Sequence, residues 1–124
     1  MRNVTFAATQ FACSWDAPAN IAKAKEIVRK AAEHGANVIL LQELFETPYF
    51  CQDQFADHFS LARPFANHPV IAVMAALAKS LNVVLPISFF EKAGHAHFNS
   101  LAMIDADGTI LGLYRKSHIP DGPG

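Results

Sequence analysis

Apolar and polar positions recur along this chain with two different periods, and each change of period marks the end of an element. Val4-Thr5-Phe6-Ala7-Ala8-Thr9, led by β-branched and aromatic residues, predicts a first strand. A polar connection, Cys13-Ser14-Trp15-Asp16, follows; Asp16 is placed to cap a helix, and Pro18 is tolerated in a first turn. Ile21, Ala24, Val28 and Ala31 then recur at helical spacing while Lys23, Lys25, Glu26, Arg29, Lys30 and Glu33 fill the remaining surface, a helix that Gly35 ends. Val38-Ile39-Leu40-Leu41, an aliphatic run bounded by Gly35 and Pro48, is too short for a buried helix. It predicts a strand buried on both faces, as parallel strands between helices are. Strand, helix and strand make a right-handed βαβ unit with the helix on one face of a parallel sheet.

The stretch from Gln52 to Asn67 is irregular or briefly helical. A second helix, apolar on most sides, begins at His68-Pro69 and ends near Asn82, a residue that tolerates a left-handed cap. Val83 to Phe90 predicts a strand in which Pro86 removes one ladder donor. The remainder reads as a hairpin, Phe98 to Ile104 and Thr109 to Arg115, joined by Asp105-Ala106-Asp107-Gly108. On its second strand Ile110, Gly112, Tyr114 and Lys116 share one face; Leu111, Leu113 and Arg115 share the other. Ile119 to Gly124, rich in Pro and Gly, cannot continue a strand.

Composition adds a tension. The 124 residues are 52% apolar and only 17% charged, against about 25% charged in ordinary soluble domains, so part of the apolar surface is expected to face something beyond these residues. A formal net charge of −1, with both signs scattered, leaves no footprint for nucleic acid or an anionic membrane. The apolar run Val70 to Ala78 is far short of a membrane span, and the N-terminus alternates. Cys13 and Cys51 show neither C-x-x-C spacing nor zinc-type partners, which agrees with a reducing, cytosolic compartment.

Candidate chemistry starts at Glu43, where the apolar run stops at a carboxylate. The carboxyl end of an interior strand is where open α/β sheets place ligand crevices, and a carboxylate losing water there gains proton affinity toward that of a general base. A solvent-facing or Arg-paired Glu is the alternative. Glu46-Thr47-Pro48-Tyr49-Phe50-Cys51 is too rich in large side chains for a solvated linker and reads as a pocket wall. Lys116 also follows an apolar strand; converging on Glu43, its ammonium would keep the carboxylate ionised and stabilise an oxyanion, although structural ion pairs use the same residues. Cys51 and Cys13 carry no sign of a lowered pKa and are not nominated as nucleophiles. His95 and His97 lack a third metal ligand and read as solvent-facing residues of a strand connection; His118 reads as a turn histidine. No phosphate loop and no G-x-S-x-G elbow is present.

Leu41-Gln42-Glu43-Leu44-Phe45 together with Tyr114-Arg115-Lys116-Ser117-His118 resembles the nitrilase, or carbon-nitrogen hydrolase, superfamily. More narrowly, Gln42 through Glu46, Tyr49 through Gln52, Asn67-His68-Pro69, Phe98-Asn99-Ser100, Asp105 through Gly108 and Leu113 through Gly124 are similar to its branch acting on N-carbamoylputrescine. The resemblance implies a four-layer αββα sandwich, of which this chain supplies roughly one sheet with its helices, as the N-terminal part of a single domain. It implies Glu43 as general base, Lys116 as oxyanion-stabilising lysine and Tyr49 as a wall of the substrate pocket. The family's nucleophilic Cys, in a Cys-Trp-Asp motif, and a further supporting Glu lie beyond Gly124, so this chain alone is expected to be inactive. The implied partner is a small ureido substrate in a homo-oligomer, with no metal or organic cofactor, no nucleic acid and no membrane. Glu46 or Asp53 would pair with the substrate's far amine. Two other readings stand beside it: a β-ureidopropionase or ω-amidase type hydrolase, and a non-catalytic module that docks its bare sheet face on a partner.

Overall fold

In a computed structural model that describes Met1 and residues 3–119, each apolar period becomes an element at nearly its expected place. Two helices, α1 (Ala17–Glu33) and α2 (Pro69–Leu81), accompany strands β1 (Phe6–Ala8), β2 (Val38–Leu40), β3 (Leu85–Ala93), β4 (Ala96–Ile104) and β5 (Ile110–Arg115). Asp16 caps α1, its Oδ1 accepting from the Ala19 N–H at 3.0 Å. Asn82 closes α2 at φ 54°, with its N–H on the Ala78 carbonyl. Short 3₁₀ turns at Phe50–Gln52, Ala56–Leu61 and Phe65–Asn67 account for the irregular middle. The closing run after Ile119 lies outside the described residues.

Two ladders, the pair β1-β2 and the three-stranded β3-β4-β5, lie side by side in the order β1-β2-β3-β4-β5. β1 and β2 are parallel, in the register Phe6 to Val38 and Ala8 to Leu40, and β2 meets the start of β3 through a parallel bridge between Val38 and Val84. β3, β4 and β5 form an antiparallel meander. The expected hairpin is present and the structure adds a strand to it: the C-terminal part is a three-stranded meander, because Gly94, at φ 61°, turns β3 back onto β4 in a hairpin tighter than the Asp-Gly one. Pro86 tells on β3's other edge. Val84 donates to Asn37 O and accepts from Ile39 N; the next rung would need the N–H of residue 86, and there the pairing with β2 stops. Further along, Arg63 takes over that edge opposite Glu91.

Both helices pack on one face. Ala24 and Val28 of α1, Val70, Met74 and Ala78 of α2, and Ile39, Leu85, Ile87, Phe89, Ala102 and Ile104 of the strands form one fully buried cluster. Gly108, at φ 87°, lets the β4–β5 turn lie against α2; a Cβ there would come 2.9 Å from the Ala75 carbonyl oxygen. The opposite face carries no helix among the described residues. Leu40, expected to be buried, is 47% exposed, as are Phe6 at 74% and Tyr114 at 60%. The expectation of a strand buried on both faces thus fails at β2 within the described residues, and for the reason the composition anticipated: the second face has its apolar side chains but no layer over them.

Candidate active site

β2 leaves the sheet after Leu40 and enters a turn that is held from three sides. Gln42 pairs with the main chain of Phe11, donating Nε2 to its carbonyl at 2.5 Å and accepting its N–H at 3.1 Å. Leu44 takes a left-handed conformation, φ 52°, costly for a branched side chain, and donates its N–H to Ser88 Oγ at 3.1 Å. The thiol of Cys13 donates to the Phe45 carbonyl at 3.3 Å, and burial pushes its pKa up, so it is a structural thiol. Ser88 sits in the gap that opens where β2 and β3 part. The turn therefore projects Glu43 over the uncovered sheet face from a rigid base.

Lys116 comes from the opposite end of the chain to the same place. Its Nζ lies 2.9 Å from Glu43 Oε1, one residue beyond β5. Asn99 of β4 donates Nδ2 to that same oxygen at 2.5 Å. The pair stands in a cavity of about 430 Å³ on the open face, among Leu41, Ser88, Leu101 and Tyr114. A neighbouring hollow, walled by Gln42, Thr47, Pro48 and Tyr49, reaches Glu43 from its other side. The three residues named from the sequence, Glu43, Lys116 and Tyr49, are thereby brought around one point.

The electrostatics follow from the contacts. The hydrogen bond to Glu43 raises the Lys116 pKa, keeping the ammonium charged. Burial, with the Glu43 charge behind it, pushes the Tyr49 phenol up. Cys51, hydrogen-bonded to Tyr49, is likewise raised by burial, although Lys116 is within electrostatic reach, so its thiol stays protonated. One expectation is corrected: the Glu43 side chain is 40% exposed, so the desolvation anticipated at a strand's carboxyl end is missing. The face that would dry it is the uncovered one.

Glu46 does not join this group. It turns into a separate cavity with Thr47, Phe50, Arg63 and Phe90, where burial pushes its pKa to about 7. Its neighbour His68, also desolvated, is lowered to about 4, so above that pH the 3.6 Å approach of Nε2 to the Glu46 carboxyl is not an ion pair. Asp53 is exposed. The raised Glu46 pKa favours folding below its unfolded value near 4.5, an advantage lost as pH rises through about 7. Glu46→Gln should thus melt higher than wild type at pH 8 by roughly 5 °C more than at pH 5; a pH-independent difference in melting scans would show that burial does not raise the Glu46 pKa.

The histidine expectations divide. His95 and His118 are exposed, but His97, expected to face solvent, packs against Phe59 at 4.6 Å and Phe90 at 5.8 Å between ring centroids. Among the described residues no three His, Cys, Asp or Glu side chains gather as a metal site. Sequence reasoning took Asn99 only as part of a family motif, with no role, and passed over the buried Glu91. The signal available was their position: polar residues of types depleted from strands, standing inside two mainly apolar strands.

A family profile described as "Carbon-nitrogen hydrolase" matches residues 5–124. The chain belongs to the carbon-nitrogen hydrolase family. An N-carbamoylputrescine amidase from Arabidopsis thaliana is 61% identical over 99% of this chain, and the match takes in 41% of that protein. A citrullinase from Francisella tularensis is 44% identical over the whole chain and 43% of its own length. The crystal structure of a carbon-nitrogen hydrolase from Helicobacter pylori G27 superposes with a TM-score of 0.85 at 35% identity, over 94% of this chain and 41% of that one. The chain thus spans well under half the length of these relatives. The fold is nitrilase-like, with one sheet and its two helices present in the described residues. No helix among them is long and apolar enough to cross a membrane.

Proposed function

We infer that the protein carrying this chain hydrolyses the ureido C–N bond of N-carbamoylputrescine, giving putrescine, carbon dioxide and ammonia, and that residues 1–124 are the N-terminal part of its single catalytic domain. The observation that carries this reading is the 2.9 Å contact between Lys116 and Glu43, residues separated by most of the chain yet meeting on an open, cavity-bearing face. The 61% identity to an N-carbamoylputrescine amidase supplies the substrate. A citrullinase at 44% identity supports the same ureido chemistry on an amino acid and is the second reading.

The chemistry is acyl transfer through a thioester-like intermediate. Glu43 takes the proton of the cysteine that the family resemblance places beyond this chain, and the thiolate attacks the ureido carbon. Lys116, held as an ammonium, stabilises the developing oxyanion. Ammonia leaves with a proton returned through Glu43. Water activated by the same carboxylate then splits the carbamoyl thioester, and the carbamate released loses carbon dioxide. Tyr49 closes the hollow beside Glu43. Glu46, turned into its own cavity, gives no support to the idea that it binds the substrate's distal amine, which leaves exposed Asp53 as the acid near that loop. A cytoplasmic homo-oligomer completes the reading.

The test is ammonia release from N-carbamoylputrescine, citrulline and a plain ω-amide. A chain continued in frame through a Cys-Trp-Asp motif should act first on N-carbamoylputrescine, and the 124-residue chain should release none. Preference for the ω-amide would overturn the ureido assignment, and turnover by the short chain would bring back Cys51.

A further inference from the structure

Asn99 touches both members of the candidate pair, by different chemical groups. Its side-chain amide donates to Glu43 Oε1 at 2.5 Å, and its main-chain carbonyl accepts the Lys116 N–H at 2.9 Å. Only 6% of Asn99 is exposed, so the amide's orientation is set by packing within β4, whereas the side chains of Glu43 and Lys116 are 40% and 36% exposed. Left to themselves, two exposed long side chains sample many rotamers, and a contact between them is worth little. We propose that Asn99 is the positioning residue of the Glu43–Lys116 pair, holding the carboxylate by its side chain and the lysine backbone by its main chain.

The geometry says what this does for the chemistry. Among the described residues, the hydrogen bonds to the Glu43 carboxylate, from Asn99 and from Lys116, both fall on Oε1. Oε2 is thereby the oxygen presented to a proton, and the plane of the group is fixed. An amide suits this task where a second cation would not, because it orients the carboxylate without adding a charge that would weaken it as a base. The register of β4 and β5 supports the same arrangement from the other face. Next to the Asn99–Lys116 contact, Ser100 and Arg115 are paired, and both bind Glu91 on the helix-covered side. A slip of one residue would exchange the two faces and separate Lys116 from Glu43.

The inference rests on the hydrolase reading for its catalytic meaning, so two measurements separate them. In the 124-residue chain, the ¹⁵N signal of the Lys116 ammonium reports the pair directly. Asn99→Leu should move it to the position seen in Glu43→Gln, while Leu101→Ala, on the same strand face, should leave it in place. An unmoved signal in Asn99→Leu overturns the proposal. In the chain continued through its cysteine, Asn99→Leu should lower kcat by about 10- to 100-fold with KM changed less than about twofold, as loss of an orienting donor implies. Asn99→Asp keeps the volume and sets a second carboxylate beside Glu43, so the acid limb of the kcat/KM profile should move up by about one pH unit. A limb that stays put, with kcat falling only in proportion to folded protein, would make Asn99 merely structural. If the unsubstituted enzyme releases no ammonia from any substrate, the hydrolase reading fails and the ammonium signal alone decides Asn99. Should Asn99→Leu not fold, the Asp variant carries the test.

Discussion

Glu43→Gln, in a chain continued through the family's cysteine, is expected to reduce kcat by about 10³-fold and to leave the melting temperature nearly unchanged. The substitution keeps the shape and an oxygen that Asn99 and Lys116 can still reach, so the turn held by Gln42, Leu44 and Ser88 has no reason to move. What it removes is the charge and the basic oxygen, on which both halves of the proposed reaction depend. The stability cost is small because the carboxylate is 40% exposed, and an ion pair of that kind contributes little. Parallel assays of ammonia release and thermal melting check the dissociation. Activity within tenfold of wild type would remove Glu43 from the role of base.

Arg115→Met should have the opposite signature, a fall in melting temperature on the order of 10 °C at pH 7. Glu91 has a side chain 3% exposed and is held by Arg115 Nε at 2.8 Å, Arg115 Nη2 at 2.7 Å and the Ser100 hydroxyl at 2.7 Å. The guanidinium also lies 4.2 Å from the Phe98 ring centre. Without it, a buried carboxylate keeps one hydroxyl. The Arg115 hydrogen bonds hold the Glu91 pKa below its usual range. That lowered pKa gives stability present above the unfolded value near 4.5 and lost as pH falls through the folded one. Wild type therefore surrenders on acidification what the variant has already lost, and the gap between them should narrow toward pH 3. Glu91→Met combined with Arg115→Met should recover most of the loss, since apolar replacement of a buried pair is often neutral. A gap that widens in acid would contradict the assignment.

The two residues illustrate how the chain's halves were legible to different degrees. Helix α1 could be read from Ile21, Ala24 and Val28 with a cap at Asp16, and α2 from Pro69 to a left-handed Asn82, because capping and helical periodicity are local. The β4–β5 turn followed from Asp107-Gly108. The β3–β4 hairpin did not, since Gly94 lies among His and Ala residues that carry no alternation. Glu43 and Lys116 were nameable because each follows an apolar strand, and Tyr49 because its loop is rich in large side chains; for all three the motifs also resemble a family. Asn99 and Glu91 were not, since their partners lie 56 and 24 residues away.

The elements, the order in which they come, and the excess of apolar surface could all be read along the chain, for these depend on near neighbours and on composition. It took folding in three dimensions to bring Asn99 and Lys116 onto one oxygen of Glu43, to turn Glu46 elsewhere, and to leave the side chain of Glu43 40% exposed. The reason is register: on a pleated sheet one residue of shift exchanges the two faces, and register is set by contacts across the sheet rather than along the chain.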